Sequence, residues 1–403
     1  MNKKDIDMKR MAVISAGFVP VPAVDGGAGE VLTTELINGN EIAGDFFMDI
    51  YTIESPKLNK IKYKNAEIIQ VHINPIRWFW CKARNAFLKL FKFKYRFIPY
   101  NQELIHKYFR DNYDIILVEN NMQVFEDIYN HAKHGKNHMI YHMHNDIDGT
   151  TKPEYLCRFI ADKAEKILTV SDYLKKHFNQ VAPNDKTEVF YNCVDLAVFN
   201  PDKLKKTAEL KEKYKINNND FVYMYTGRVC PEKGVLELIR AFKKVLAKVP
   251  NAKLMVVGSR WYNQIDKDEY FNSLIEESEE IKDKIIFTGY VYPEDMPEIY
   301  GLADVLVIPT LCQEAFGMVA LEGMVMRVPI ISTKSGGLVE VLNADTAILI
   351  DRENIIDELE CAMLKIKEVQ IAEKLVRNAR EKLERTREFW KINYYDEFAK
   401  RVR

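Results

Sequence analysis

The sequence lacks a long hydrophobic run and has almost no net charge. No stretch reaches the ~18–20 apolar residues that a membrane-spanning helix needs. The 403 residues carry 58 lysines and arginines against 59 acids, so no global field attracts nucleic acid, and we expect no nucleic-acid partner. Basic residues before the apolar run Met11–Val24 give it a superficial likeness to a signal peptide. Because Pro20 and Pro22 interrupt the run and a glycine-rich loop follows, we interpret it as a first β-strand entering a loop.

Cysteine is scarce and unclustered. The six cysteines form neither a CxxC pair nor a Cys/His cluster, so we expect no structural zinc. We interpret them as free thiols in a reducing compartment and predict a cytoplasmic protein. Short solenoid repeats and low-complexity tracts are also missing. A hydrophobic fraction of 47% and a charged fraction of 29% are typical of a globular protein.

Short β-branched runs alternate with longer amphipathic stretches, which indicates parallel sheets covered by helices on both faces. The predicted strands are Met11–Ala16, Glu67–Val71, Asp114–Val118, Asn137–His142, Lys166–Val170, Glu188–Tyr191, Phe221–Thr226, Lys253–Val257, Lys284–Thr288, Val305–Ile308, Pro329–Ser332 and Ala347–Ile350. These are too many for one sheet, and the Pro-, Lys- and Asn-rich stretch 200–220 is a natural break. We therefore predict an α/β protein with two doubly wound, Rossmann-like domains, 1–200 and 201–385, facing each other across a cleft.

Two glycine-rich loops, each between a predicted strand and a predicted helix, are candidate anion sites. In the first, Asp25–Gly29, glycines allow close backbone approach and the helix N-terminus favours an anion, although an ordinary turn is an equal alternative. The second loop runs from Gly227 to Gly234 and contains Arg228 and Lys233, two cations suited to a diphosphate. It is not a Walker A loop, and a surface turn with two solvated cations is the alternative.

A third loop precedes a predicted helix, and two glutamates flank its end. The main-chain N–H groups of Phe316, Gly317 and Met318 would lie free at the helix N-terminus. Glu314 would lie in the loop and Glu322 about two turns into the helix. Two carboxylates at this spacing can accept hydrogen bonds from two sets of sugar hydroxyls. Two solvated glutamates beside a core helix are the alternative.

Two histidines end one predicted strand. His142 and His144 are two residues apart and so share a face. We expect His144 to be functional at the carboxyl end of the strand; a packed core His142 with His144 merely a loop residue is the alternative. The pair could bind a metal, but no third ligand has convincing spacing.

The segment 77–98 contains seven cations and eight aromatic residues but no acid. Wound as a helix, it places the apolar residues on one ~140° arc and the lysines opposite. This pattern is typical of an interfacial helix on anionic lipid; a helix packed on its own domain and a nucleic-acid patch are the alternatives. The end of the segment alternates strictly and is predicted to be extended. The residues predicted to contact membrane or acceptor are Trp78, Trp80, Lys82, Lys89, Phe91 and Lys92.

Taken in order, these motifs resemble the family-4 retaining glycosyltransferases of the GT-B fold, over nearly the whole chain. The matching stations are Gly26–Gly29, His144, Thr169–Ser171, Tyr191–Asp195 with Phe199 and Pro201, Gly227–Gly234, Phe287–Val291, Glu314–Glu322, Ser335–Gly337, and Phe389-Trp390 with Tyr394 and Tyr395. Each is weak alone, and their order and spacing carry the resemblance. The sequence departs from the family pattern at Cys193, where glycine is usual, and at Arg260, where a small residue is common.

The resemblance implies a role for each matching position. Arg228 and Lys233 would neutralise the donor diphosphate, Glu314 would contact the transferred sugar, Glu322 would bind the ribose, and His144 would face sugar and acceptor. The other donor-binding positions would be Gly27, Gly227, Tyr290, Val291, Phe316, Gly317, Met318 and Val319. Segment 386–403 would be a helix that crosses back to the first domain.

The resemblance also implies a retaining hexosyltransferase that needs no metal and no cofactor. Asp146-Ile-Asp148, the one plausible DxD, lies on the wrong domain for a donor metal site. We expect a nucleotide-sugar donor, by default a UDP-sugar, and a glycan or lipid-linked acceptor for surface polysaccharide. The enzyme would act at the inner face of the membrane as a peripheral protein. A nucleotide-sugar epimerase or hydrolase on the same fold is the alternative, and a non-catalytic binding protein is a third reading.

Overall fold

The computed structural model describes residues 8–90, 97–147, 154–259, 269–386, 389 and 391–403, without the side chains of Lys89, Lys391 and Ile392. Internal contacts divide the chain into two compact units. Unit 1 comprises Met1–Tyr191 and Tyr394–Arg403, and unit 2 comprises Asn192–Asn393. Within the described ranges, no helix is both long and apolar enough to cross a membrane.

Unit 1 is built on a seven-stranded parallel sheet of order β3-β2-β1-β4-β5-β6-β7. The chain first winds outward from β1 to β3 and then returns to the other side of β1, so β1 and β4 flank a topological switch point, where ligands bind in such sheets. The strands are β1 (Lys9–Ile14), β2 (Phe46–Ile53), β3 (Ala66–Val71), β4 (Ile115–Glu119), β5 (Met139–Met143), β6 (Lys166–Thr169) and β7 (Thr187–Val189). The helices are α1 (Ala28–Ala43), α2 (Pro75–Leu90), α3 (Pro99–Glu103), α4 (Met122–His131), α5 (Glu154–Lys163) and α6 (Asp172–Val181).

Unit 2 repeats the plan with a six-stranded parallel sheet of order β10-β9-β8-β11-β12-β13, whose switch point lies between β8 and β11. Its strands are β8 (Phe221–Thr226), β9 (Ala252–Val257), β10 (Ile285–Gly289), β11 (Val305–Ile308), β12 (Ile330–Thr333) and β13 (Ile348–Ile350). Its helices are α7 (Thr207–Lys213), α8 (Val235–Leu246), α9 (Glu269–Ser278), α10 (Met296–Tyr300), α11 (Met318–Val325), α12 (Leu338–Val341), α13 (Ile355–Lys365) and α14 (Val369–Arg385); α15 (Lys391–Val402) follows. The two sheets confirm the predicted α/β class with two doubly wound domains.

The sequence pattern did not reveal β2, which pairs with β1 and β3 in parallel register. Asp49 interrupts its apolar run, yet it is fully buried in the sheet. Its carboxylate accepts hydrogen bonds from Arg10 Nη2 at 2.7 Å and from the Tyr113 hydroxyl at 2.6 Å. A buried carboxylate is tolerated when it is paired and hydrogen-bonded in this way. These partners are distant in sequence, so the pattern within the strand could not indicate them.

Amphipathic helices cover the sheet and fix the loops at its edge. In α8, the buried residues Val235, Leu238, Ile239, Phe242 and Val245 follow the helical repeat and face the core of unit 2. Each such buried side chain contributes roughly 1.5–3 kcal/mol. This burial anchors α8 directly after the loop that contains the candidate cations.

The last ten residues belong to unit 1. The Tyr395 hydroxyl lies 2.9 Å from Asn40 Oδ1 and 3.0 Å from Asp45 Oδ2. Its side chain lies directly on Gly39, where an added Cβ would be 2.3 Å from the Tyr395 Cβ. The Tyr394 ring stacks on Phe190 with centroids 4.6 Å apart. These contacts hold the C-terminal residues against the first domain.

Candidate active site

The candidate donor residues of unit 2 follow the carboxyl ends of neighbouring strands. Gly227 and Arg228 come directly after β8, Glu314 lies in the loop after β11, and Ser335 lies in the loop after β12. Because β8, β11 and β12 are adjacent, these loops meet at one edge of the sheet. Parallel α/β sheets bind ligands at this edge.

Glycine allows the loops after β8 and β11 to lie in contact. Gly234 has a φ of 72°, and an added Cβ would lie 2.1 Å from the Pro309 carbonyl oxygen. The Leu311 N–H donates to the Glu232 carbonyl at 2.9 Å. The turn therefore brings the cationic loop beside the loop that carries Glu314.

Lys233 and Glu314 form an ion pair, in which Lys233 Nζ donates to Glu314 Oε1. Both side chains are about four-fifths buried, with exposed fractions of 19% and 18%. Arg228 is half-exposed and lies 3.8 Å from Glu232, a weak pairing that leaves its guanidinium accessible. The structure thus brings three of the four predicted catalytic residues to one sheet edge, namely Arg228, Lys233 and Glu314.

The loop after β12 fixes the backbone of Glu314. Ser335 Oγ accepts the Glu314 N–H at 3.0 Å and donates to the Cys312 carbonyl at 2.6 Å. The Gly337 N–H donates to the Glu314 carbonyl at 2.7 Å. An added Cβ at Gly337 would lie 2.4 Å from the Ala315 carbonyl oxygen, so the loops pack too closely for a larger residue. This explains the Ser-Gly-Gly sequence in structural terms.

Helix α11 begins at Met318, after Gly317 with a φ of 105°. In its first turn, the N–H groups of Met318 and Val319 have no acceptor within the helix, whereas that of Ala320 donates to the Gly317 carbonyl at 3.0 Å. Such N–H groups and the helix dipole favour an anion. The predicted role of Phe316 can involve only its main chain, because its ring is buried against Phe389 with centroids 5.8 Å apart.

Glu322 has a partner that the sequence did not reveal. The Tyr300 hydroxyl donates to Glu322 Oε2 at 2.8 Å, and Tyr300 itself is fully buried. Burial raises the pKa of Glu322 to about 7, although the hydrogen bond from Tyr300 acts in the opposite direction. Tyr300 ends α10, just before β11, and only the folded sheet brings it to α11.

Tyr290 and Val291 follow β10 and are partly buried. The Tyr290 ring meets Tyr292 edge-on at 5.2 Å. They lie two strands away from β8 in the same sheet, at its carboxyl edge. Their predicted contact with the donor stays a prediction.

In unit 1, Gly27 and His144 lie at the carboxyl edge of the first sheet. Gly27 precedes α1 with a φ of 97°, and an added Cβ would lie 2.2 Å from the Glu30 carboxylate. His144 follows β5, and its N–H donates to Asn120 Oδ1 at 3.1 Å. Its ring lies against Gly29 at the start of α1.

A buried glutamate joins the two histidines. Glu119 Oε2 lies 2.8 Å from His144 Nε2 and 3.0 Å from His142 Nδ1. His142 is buried in the core. The three side chains could together hold a metal ion, since their ligand atoms lie within 4.8 Å of one another. The sequence suggested no third ligand, because Glu119 is 23 residues from His142 along the chain and reaches it only through the pairing of β4 with β5.

The DxD aspartate is engaged within unit 1. Asp146 accepts hydrogen bonds from the Tyr173 hydroxyl at 2.5 Å and from His177 Nδ1 at 2.6 Å. Asp148 lies outside the described residues.

Helix α2 exposes the aromatic residues that the sequence placed on one arc. Exposed fractions on this arc are 63% for Phe79, 61% for Trp80 and 61% for Phe87; Trp78 lies off the arc and is 45% exposed. Cys81 is buried and anchors the opposite face. Lys82 Nζ lies 3.7 Å from the centroid of the Trp78 ring, a cation–π contact. The side chain of Lys89, and all of Phe91 and Lys92, lie outside the described residues.

Comparison with known proteins identifies the family. Residues 206–382 match the family model described as glycosyl transferases group 1, and residues 62–198 match that of glycosyltransferase family 4. The chain belongs to the family-4 glycosyltransferases. The glycosyltransferase is 29% identical to the lipopolysaccharide 1,2-N-acetylglucosaminetransferase of Salmonella typhimurium, over 69% of this chain and 71% of that protein.

Two further relatives extend the comparison. The glycosyltransferase is 30% identical to the capsular polysaccharide biosynthesis glycosyltransferase CapM of Staphylococcus aureus, over 55% of this chain and 57% of that protein. Anabaena HepE, solved with UDP and glucose, superposes with a TM-score of 0.73 at 18% identity, covering 98% of both chains. Together with the two sheets, this likeness establishes the GT-B fold.

Proposed function

We propose that the glycosyltransferase moves a sugar, with retention of anomeric configuration, from a UDP-sugar to a glycan or lipid-linked acceptor of a surface polysaccharide. The observation that carries this proposal is the arrangement of Arg228, Lys233 and Glu314 beside the N-terminus of α11 in unit 2. Cations and free N–H groups suit a diphosphate, and the carboxylate suits a sugar hydroxyl. Relatives named for lipopolysaccharide and capsule synthesis support the polysaccharide part.

The donor assignment rests on unit 2. HepE, which shares the fold, binds UDP. Glu322 is held by Tyr300 and keeps its other oxygen for a ribose hydroxyl. The first-turn N–H groups of Gly317, Met318 and Val319 would bind phosphate oxygens. Gly227, Tyr290 and Val291 would complete the donor site, and the role of Gly27 stays a prediction.

Leaving-group stabilisation is electrostatic in this proposal. As the sugar–phosphate bond breaks, negative charge grows on the diphosphate. Fixed cations at Arg228 and Lys233 stabilise that charge without reorganising. We therefore propose metal-independent transfer. His144 of unit 1 would accept a hydrogen bond from a substrate hydroxyl.

We also propose that α2 rests on an anionic membrane surface, at the cytoplasmic face where a lipid-linked acceptor would be presented. The support is its exposed aromatic residues beside cations, with Trp80 61% and Phe79 63% exposed. Flotation with vesicles of phosphatidylcholine and phosphatidylglycerol tests this. We expect binding that falls when Lys82 and Arg84 are replaced by Glu, while Lys248→Glu and Lys282→Glu in unit 2 act as the matched control. Equal flotation of both double variants would overturn the membrane assignment.

The decisive test of function is a donor panel of UDP-N-acetylglucosamine, UDP-glucose and GDP-mannose. Thermal shift identifies the bound donor, because a ligand of the native state raises stability. Release of the nucleotide is then measured with and without a lipid-linked glycan extract. We expect release that depends on the acceptor. Rapid, complete turnover without acceptor would instead support a nucleotide-sugar hydrolase or epimerase.

A further inference from the structure

Glu119 has no role in the proposed donor chemistry, yet it occupies the switch point of unit 1. It is the last residue of β4, and its register partner on β5 is His142. The next residue, Asn120, has a φ of 49° and holds the main chain of His144 with its side-chain oxygen. The backbone conformation thus places His144 beside the Glu119 carboxylate.

The Glu119 carboxylate is buried, and one of its oxygens contacts the imidazole rings of both His142 and His144. Exposed side-chain fractions are 4% for Glu119, 1% for His142 and 7% for His144. Burial alone would raise the pKa of Glu119, but the neighbouring His142 and His144 hold it at about 2. The carboxylate is therefore ionised and can only accept hydrogen bonds.

The contact with Glu119 determines which nitrogen of His144 carries the proton. Burial, with a contribution from nearby His142, lowers the pKa of His144 and so favours its neutral ring. An ionised acceptor 2.8 Å from Nε2 requires a proton on that nitrogen. Nδ1 is then an unprotonated acceptor. It is buried, has no hydrogen-bond partner among the described residues, and lies next to Gly29 of the glycine-rich loop.

We propose that Glu119 is a positioning residue: it holds His144 as the Nε2–H tautomer, so that Nδ1 accepts a hydrogen bond from a substrate hydroxyl. The catalytic part of this proposal rests on the proposed function, and the tautomer does not. A buried acceptor without a partner destabilises the protein, and a hydroxyl donor would remove that cost. Unpaired buried groups of this kind point to a functional role.

Glu119, His142 and His144 are residue types that bind metal ions. The histidine nitrogens that would point away from the metal, however, argue against a metal site. Histidine ligands almost always donate their second ring N–H to a carboxylate or carbonyl. Here His144 Nδ1 and His142 Nε2 have no such partner among the residues that the structure describes. The Nε2–H tautomer of His144, in contrast, accounts for the observed contact between Nε2 and the Glu119 carboxylate.

Histidine ¹⁵N NMR of the full chain tests the tautomer without any substrate. We expect wild-type His144 to show a protonated Nε2 and an unprotonated Nδ1, and Glu119→Leu, which has no acceptor, to lose this state. Glu165→Leu is the matched control, because Glu165 contacts the exposed His138 at 3.2 Å, also in unit 1. A protonated Nδ1 in the wild type would overturn the proposal, as would stoichiometric zinc bound through His144 Nε2.

Turnover tests the catalytic consequence, using whichever donor of the panel is transferred. We expect Glu119→Leu to lower kcat about 10- to 100-fold, with little change in the donor KM, and to shift the acidic limb of the pH profile. A fall in activity that tracks only a fall in Tm, with an unchanged pH profile, would overturn the positioning role. If the wild type transfers no sugar at all, the proposed function fails, while the NMR result still decides the tautomer.

Discussion

The candidate residues of unit 1 and those of unit 2 satisfy their polar groups differently. In unit 2 the side chains pair with one another: Lys233 binds Glu314, and Tyr300 binds Glu322. In unit 1 the buried Glu119 carboxylate contacts only one nitrogen of the His144 ring, Nε2. The other ring nitrogen, Nδ1, has no hydrogen-bond partner among the described residues. The candidate donor residues of unit 2 are thus held together by internal contacts that a ligand must share. Unit 1 instead has a buried acceptor, His144 Nδ1, that can accept a hydrogen bond from a hydroxyl group.

The largest expected effect tests the ion pair between Lys233 and Glu314 in unit 2. Lys233→Ala removes the cation beside Glu314, and we expect kcat to fall by about 10²- to 10³-fold because charge on the leaving diphosphate loses its stabilisation. Steady-state kinetics with the donor from the panel measures this. Lys248→Ala, which breaks an exposed pair with Glu360, is the control and should leave kcat within twofold. Equal losses in both variants would contradict the role of Lys233.

Next in size is an effect on stability that tests the packing of the donor loops. Gly234→Ala places a Cβ 2.1 Å from the Pro309 carbonyl oxygen at a φ of 72°, whereas Gly289→Ala, at a φ of 69°, meets nothing within 4 Å. Both variants bear the left-handed strain of about 1–2 kcal/mol. We expect Gly234→Ala to lose about 2 kcal/mol more, as in other overpacked sites, measured by urea denaturation. Similar losses in both would show that the two loops are not in tight contact.

The pH dependence of nucleotide affinity tests Glu322. Burial raises its pKa to about 7, so its carboxylate gains a proton as the pH falls through that value. A protonated carboxyl accepts ribose hydroxyls less well, and the affinity for UDP should fall by about tenfold between pH 8 and pH 6. Calorimetric titration at several pH values measures this. Glu322→Gln should bind weakly with a flat profile, and a profile equal to that of the wild type would rule out Glu322 as the cause.

The smallest expected effect sharpens the assignment of Tyr300. Tyr300→Phe frees one oxygen of Glu322, and we expect the Kd for UDP to rise by about fivefold, since a typical hydrogen bond contributes about 1 kcal/mol net. Tyr223→Phe is the control, because it removes a buried hydrogen bond to the Met363 carbonyl away from Glu322. If Tyr300→Phe and Tyr223→Phe weakened UDP binding equally, the Tyr300 contact would have no specific role in UDP binding.

Local patterns explain what the sequence could predict. β-branched runs and strand–helix alternation located twelve strands, and the two parallel sheets confirm the fold class. β2 was missed because Asp49 breaks its apolar run and is compensated by the distant Arg10 and Tyr113. Glu119 and Tyr300 were missed for the same reason. Each reaches its partner only through packing between elements, which no spacing within a single motif encodes.

The site residues were located by loops that follow strands. A loop that combines glycines with a cation or a carboxylate can be recognised in the sequence as a motif. The segments around Lys233 and Glu314 are examples. Their mutual contact depends on the adjacency of β8 and β11, a crossover that the linear sequence does not show. The exposed aromatic face of α2 was likewise visible as a helical pattern, whereas its exposure in the folded chain was not.

Hydrogen–deuterium exchange with and without UDP tests the central claim most directly, because it reports on both halves of the chain in one measurement. We expect UDP to protect the loop from Gly227 to Gly234 and the segment from Glu314 to Glu322. Protection confined to unit 1, or none in these two segments at saturating UDP, would contradict the assignment of the donor site to unit 2.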